Sequence, residues 1–184
     1  DGDGDAVVFA VGDGVTIDAH AEAFGGSLEV LTAALGAAES VTVNTGSAAT
    51  TVRGSSGDIT VNADSLVDSA NNDDLTLTGD SSFTVNELDA DIDATAASGT
   101  VDITTADNAG SGGDSIAVAT GSANTTITGT GSDGVLVVDA DALGSGDTLT
   151  IDGEATFTVS NVASNVTVDA SSGDEGSLSG GLTV

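Results

Sequence analysis

The chain is 184 residues long and carries 30 acidic side chains against one basic one, Arg53, for a formal net charge of −29. Such a balance excludes ordinary salt-bridge networks and repels nucleic acid and anionic lipid heads, so metal ions or basic surfaces are the favoured partners. Cysteine, methionine, tryptophan, tyrosine and proline are all absent, which excludes disulfides, thiolate chemistry and Cys-based zinc sites.

An apolar share of 39%, held mostly in Val, Ile, Leu and Ala, predicts a folded chain rather than a disordered acidic one. Two carboxylates about 4 Å apart repel by roughly 1 kcal/mol in water and roughly 4 kcal/mol at the effective dielectric of a protein surface. With no lysine to answer them, compensation has to come from solvent cations. No run of 18 apolar residues occurs, so no helical membrane span is expected.

In chain order, the first elements predicted are short strands in VTIDAHAE (15–22) and SLEV (27–30). Leu28, Leu31 and Leu35, with Gly36 as a stop, offer a short helix over 27–40 as the minor alternative. SVTVNTGSAATTVRG (40–54) follows, then DITVNADSL (58–66), LTLTGDSSFTV (75–85), DIDATAASG (91–99) and GTVDI (99–103). The series then restarts: SIAVATGSANTTITG (115–129), VLVVDADAL (135–143), LTIDGEATFTV (149–159), NVTVDASSG (165–173) and GLTV (181–184).

These two copies of about 75 residues, with VTIDAHAE and SLEV as a partial third, divide the chain into a partial repeat (1–39), a first repeat (40–113) and a second (114–184). The repeat phase is cut at both ends, which suggests an excised fragment or a subunit whose last strand a neighbour completes. Within each copy, Thr, Asp or Asn alternate with Val, Ile, Leu or Phe at period two, the mark of half-buried strands. Turn residues punctuate the runs every 8 to 12 residues or so. Strands this short and alike can stack like on like, so the expected fold is all-β, a parallel β-helix or β-roll-like solenoid in one continuous domain. Phe83 and Phe157, equivalent in the two copies, are expected to fill its interior.

A calcium-binding nonapeptide of parallel β-rolls, G-G-x-G-x-D-x-U-x, uses glycines for a tight turn, an aspartate to reach an ion between coils, and an apolar residue for the core. AGSGGDSIA (109–117) matches at Gly110, Gly112, Asp114 and Ile116, and TGTGSDGVL (128–136) at Gly129, Gly131, Asp133 and Val135. Both lack the first glycine. TGSANTTIT between them keeps Gly121 and Ile127 in phase. RGSSGDITV (53–61) retains Gly54 and Asp58, with Ile59 and Val61 out of phase.

On these residues, and on LTLTGDSSFTV (75–85) with NVTVDASSG (165–173), most of the stretch 40–184 resembles the calcium-dependent β-roll and β-helix repeats of bacterial type I secreted surface proteins, which include S-layer proteins and large adhesins. The resemblance implies export, folding triggered by external calcium, and a structural role at the cell surface; the function expected beside it is a surface-layer, adhesin-stalk or matrix-fibre unit that self-associates into a filament or lattice, with a polysaccharide or other cell-surface partner. Only two near-complete nonapeptides occur, so fewer and less regular ions than in a full row are expected.

Asp139 with Asp141, and Asn62 with Asp64, sit two apart on one strand face, a spacing that clamps an ion or simply makes a solvated turn. Candidate calcium ligands are therefore Asp114, Asp133, Asp58, Asp139, Asp141 and Asp64. Asp1, Asp3 and Asp5, and again Asp89, Asp91 and Asp93, mimic the start of an EF-hand loop, but the sixth position is alanine in both and the twelfth is Gly12 or Thr100. His20 takes the slot of Asp64 and Asp141 and reads as a surface turn residue. The sequons at Asn124 and Asn165 have no counterpart in the paired copy, where Ala49 and Asp91 stand.

With one histidine and no cysteine, tyrosine or lysine, most nucleophilic and acid-base mechanisms lack a part, and a non-enzyme is expected. Paired carboxylates leave glycoside hydrolysis as a remote third reading, without the aromatic platforms that sugars usually meet. The principal alternative is a binding module in which T-x-T pairs, Thr76 with Thr78, Thr148 with Thr150 and Thr156 with Thr158, bind ice or crystalline polysaccharide. Threonine's ordinary preference for strands explains the same pairs without a ligand.

Overall fold

The computed structural model describes residues 5–10, 12–19, 26–32, 35–66, 74–107, 109, 115–130, 134–163, 167–169 and 181–183. The strands are β1 (Ala6–Phe9), β2 (Val15–Asp18), β3 (Leu28–Thr32), β4 (Ser40–Asn44), β5 (Thr50–Gly54) and β6 (Asp58–Asn62). They continue with β7 (Leu75–Gly79), β8 (Ser82–Leu88), β9 (Ile92–Ala97), β10 (Val101–Thr105), β11 (Ile116–Ala119) and β12 (Thr125–Gly129). The last are β13 (Val135–Asp139), β14 (Thr148–Gly153), β15 (Thr156–Ser160), β16 (Thr167–Asp169) and β17 (Gly181–Thr183).

Odd-numbered strands form one nine-stranded sheet and even-numbered strands one eight-stranded sheet. Every pairing is parallel and joins strands two apart in order, as Val41↔Ile59, Ile59↔Phe83 and Val101↔Thr125 illustrate. The chain therefore winds as a β-solenoid with about 22 residues per coil, each coil giving one strand to each sheet. The expected all-β parallel solenoid is the observed fold. No helix occurs among the described residues; Leu28, Val30 and Thr32 point inward at period two from β3, so the strand wins over the helical reading of 27–40.

Period-two alternation explains the core. Val41 and Val43, Ile59 and Val61, Phe83 and Val85, Leu75 and Leu77, and Leu136 and Val138 all face inward between the two sheets and are essentially inaccessible. Phe83 and Phe157 are 1% and 0% exposed, the large fillers expected of them. A parallel ladder suits this interior because like residues stack at the strand spacing of about 4.8 Å.

The 75-residue similarity takes on a different meaning in three dimensions. β4 and β5 match β11 and β12, β6 matches β13, β7 matches β14 and β8 matches β15, an offset of seven strands. Seven is odd, so each strand's sequence relative lies in the opposite sheet. Similar local chemistry survives the exchange. Gly79 has φ +96° and hands the chain to Asp80, whose N–H bonds Gly54 O at 2.8 Å; Gly153 has φ +100° and hands it to Glu154, whose N–H bonds Gly129 O at 2.7 Å. At both glycines a Cβ would overlap that carbonyl oxygen of the previous coil.

Candidate cation sites and outer faces

Aspartates just ahead of strands tie successive coils together. Asp5 Oδ1 accepts the Ser27 N–H at 3.1 Å, Asp13 Oδ1 the Ser40 N–H at 2.9 Å and Asp91 Oδ1 the Ala117 N–H at 2.7 Å. Asn124 Oδ1 does the same for Thr148 N–H at 2.9 Å, so an amide oxygen substitutes for a carboxylate. In each case the acceptor precedes one strand and the donor lies at or near the start of that strand's neighbour in the same sheet. These oxygens serve the backbone, satisfying donors that the corners would otherwise leave to water.

Of the six predicted calcium ligands four are described, Asp58, Asp64, Asp139 and Asp141, and these four do not form one group. Asp114 and Asp133 lie outside the described residues. Asp58 is exposed at the start of β6, in register between Ser40 and Ser82. Asp139 Oδ1 accepts the Asp141 backbone N–H at 3.0 Å and Asn161 Nδ2 at 3.0 Å, so Asp139 and Asp141 build a side-chain-capped turn. Asp93 caps Thr95 N–H in the same manner at 2.9 Å. Among the described residues no group of three or more His, Cys, Asp or Glu side chains is placed to hold a metal ion.

Asp64 borders a cleft of about 380 Å³ that it shares with Asp18, Asn44, Asn62, Asn86 and Glu87. The floor is a ladder: Asp18, Asn44, Asn62 and Asn86 are in register on β2, β4, β6 and β8. Asn62 Nδ2 donates to Asn44 Oδ1 at 2.7 Å and Asn86 Nδ2 to Asn62 Oδ1 at 3.0 Å. At the ladder's end β8 bulges: Glu87 has φ +55°, and the pairing with β10 slips so that Thr105 stands opposite Leu88. Glu87 also borders a second cleft with Thr104, Thr105, Asp107 and Thr130.

The outer face of the eight-stranded sheet carries a second register column, Thr16, Thr42, Thr60 and Thr84, continued by Asp102, Thr126 and Thr150. Sequence reading along each strand missed it, because it looked for T-x-T within a strand rather than for one threonine per coil. The signal was present as VTVN (41–44), ITVN (59–62) and FTVN (83–86), which places Thr and Asn outward and the flanking apolar residues inward. The predicted T-x-T pairs divide between sheets: Thr76 and Thr78 on β7 and Thr156 and Thr158 on β15 lie in the nine-stranded sheet, Thr148 and Thr150 on β14 in the other. They do not share one flat face.

The nine-stranded sheet has the more mixed exterior. Arg53, the sole basic side chain, reaches Glu29 at 3.3 Å across β5 and β3. Val7 and Phe9 on β1 are exposed by 51% and 66%. No helix among the described residues is long and apolar enough to cross a membrane. In comparisons with known proteins, no family model matches the chain, and neither a curated protein nor a solved structure is significantly similar to it.

Proposed function

We propose that this chain is an extracellular, non-enzymatic structural module of a cell surface or matrix, whose fold is held against its own charge by cations, calcium foremost. The observation that supports this reading most directly is the combination of a continuous two-sheet solenoid with a net charge of −29. A parallel solenoid is a quasi-one-dimensional scaffold in which every coil rests on its neighbours. This one carries 30 acidic side chains with one arginine to answer them, so a cation atmosphere enters its stability directly. Calcium suits the donors on offer, which are carboxylate, amide and backbone oxygens, and sites of roughly 10⁻⁴ to 10⁻³ M affinity belong outside the cell. Self-association and a polysaccharide partner complete the proposal.

The test is a circular dichroism and thermal-melt titration of chelated protein with calcium, magnesium as control. A cooperative gain of β-structure, or a rise in Tm at millimolar calcium beyond that given by magnesium, is the expected result. A chelated protein already folded, with a Tm that neither ion moves, would sink the reading.

The Thr16, Thr42, Thr60 and Thr84 column favours a second reading, a binding face for ice or crystalline polysaccharide, since it repeats one hydroxyl and one methyl per coil at about 4.8 Å. Thermal hysteresis, or retention on a polysaccharide matrix, lost in Thr60→Lys would support it; folded protein showing neither ends it.

A further inference from the structure

The amide ladder uses only part of the hydrogen-bonding capacity of the side chains that build it. An asparagine amide has two N–H donors and two acceptor positions. Asn62, in the middle, donates once to Asn44 and accepts once from Asn86. The ladder therefore leaves it one donor and one acceptor position beside the cleft. The three amides are half-buried and form the floor, while Asp18, Asp64 and Glu87 are exposed at the rim.

The floor runs along the solenoid axis from β2 to β8, three strand spacings or about 14 Å. The threonine column lies beside it, two residues earlier in each strand. At the β8 bulge the floor ends with Glu87, which borders both clefts. One polar group per coil over several coils suits a chain molecule with its own polar repeat better than a compact ligand. A net charge of −29 and the rim carboxylates exclude a polyanion. Cationic groups bring donors only and would leave the amide N–H groups unanswered. A hydroxyl both donates and accepts, so one kind of group answers the amides and the carboxylates together.

From this geometry we infer that the amide cleft binds a neutral linear polysaccharide of hexose units, laid along the solenoid axis. Its hydroxyls bond the floor of Asn44, Asn62 and Asn86 and donate to Asp64 and Glu87 at the rim. The site rests on the structural-module reading and gives that reading's polysaccharide partner a place to bind. It takes a single dissolved chain, whereas the threonine column would take a crystal surface. Its volume of about 380 Å³ lies within the roughly 300–1,000 Å³ usual for small-molecule sites, room for a short stretch of such a chain. Without an aromatic platform, hydrogen bonds that replace bound water carry the whole affinity, so binding of a short oligomer is weak, in the millimolar range.

The test is an NMR titration of the folded full chain at fixed calcium, following the side-chain amide signals of Asn44, Asn62 and Asn86. The probes are cellohexaose, laminarihexaose and mannohexaose, each added to tens of millimolar, with glucose as the single-unit control. Expected are saturable shifts of these amides with at least one hexasaccharide, half-complete at a concentration about tenfold or more below that for glucose, since several coils contribute bonds. Asp64→Asn and Glu87→Gln keep the side-chain shapes and the ladder bonds. Each should weaken binding about threefold or more while the melt is unchanged. Thr76→Ala, on the other sheet, should change nothing. The cleft is overturned if no hexasaccharide moves the amides, or if both rim variants bind like the parent. Loss of binding in Thr60→Lys with both rim variants unaffected would transfer the sugar to the threonine column. Calcium that shifts the same amides by itself, with no further change on adding sugar, would make the cleft a cation site. All of these leave the structural module to the calcium melt. Sugar binding by a chain whose melt ignores calcium would keep the cleft and remove calcium from the proposed function.

Discussion

Asp91 and Asn124 do the same job with different side chains, each offering one oxygen to a backbone N–H of the next coil. What matters there is the acceptor, and the charge is incidental. Asp91→Asn should therefore leave the Tm nearly unchanged in moderate salt, whereas Asp91→Ala, with the acceptor gone, should cost about 0.5–1.5 kcal/mol in urea unfolding. Equal losses in both variants would show that the negative charge itself is needed. Glycine gives a sharper contrast. Gly153 combines φ +100° with a Cβ position overlapping Gly129 O, while Gly146 has φ +96° but open space around it. Gly146→Ala should cost only the backbone strain, on the order of 1 kcal/mol, and Gly153→Ala distinctly more, because a backbone carbonyl would have to shift.

A single strand here contributes an inner pair of side chains, an outer pair, and a place in two columns. β6 shows all of it: Ile59 and Val61 seal the core, while Thr60 and Asn62 join the threonine and amide columns. Removing an amide from the middle of the ladder breaks the bonds on both sides, so Asn62→Ala should destabilise more than Asn86→Ala at its end. Asn62→Thr should be milder than Asn62→Ala, since β10 and β12 place Thr104 and Thr128 outward two residues along from Asp102 and Thr126. Denaturant midpoints of the three variants decide it; identical midpoints would mean that the ladder contributes nothing. The core column gives the largest effect, with Phe83→Ala expected to cost about 3–5 kcal/mol through the cavity it leaves.

For the molecule as a whole, charge and winding dominate. Raising sodium chloride from about 0.01 M to 1 M shortens the screening length from about 30 Å to about 3 Å, so repulsion between coils falls and the Tm should rise even without calcium. A Tm independent of salt would mean that bound ions or the carboxylate-to-backbone bonds had already absorbed the repulsion. Stability should also be graded along the axis. Amide exchange at Val8 and Ile17, half covered, should outpace that at Val61 and Val85, sealed two and three coils further in.

Much of the fold was legible because period-two alternation is local. Each of VTVN, ITVN and FTVN states which side chains face inward before any partner strand is known, and the recurrence of such runs with glycine-rich turns implies stacking in parallel. The two equivalent phenylalanines announced the core in the same way. Three matters were not local and could not be read from the chain. Whether a 75-residue offset spans a whole number of coils depends on how many strands the intervening loops permit, and the answer, seven, puts sequence relatives in opposite sheets. The destination of each carboxylate depends on which donors the fold brings beside it, so Asp139 caps the Asp141 N–H and accepts from Asn161 of the next coil, while Asp64 joins Asp18 and Glu87 around an amide ladder. The columns on the outer faces are products of register, and register is set by loop lengths summed over a coil, a quantity that no single strand contains.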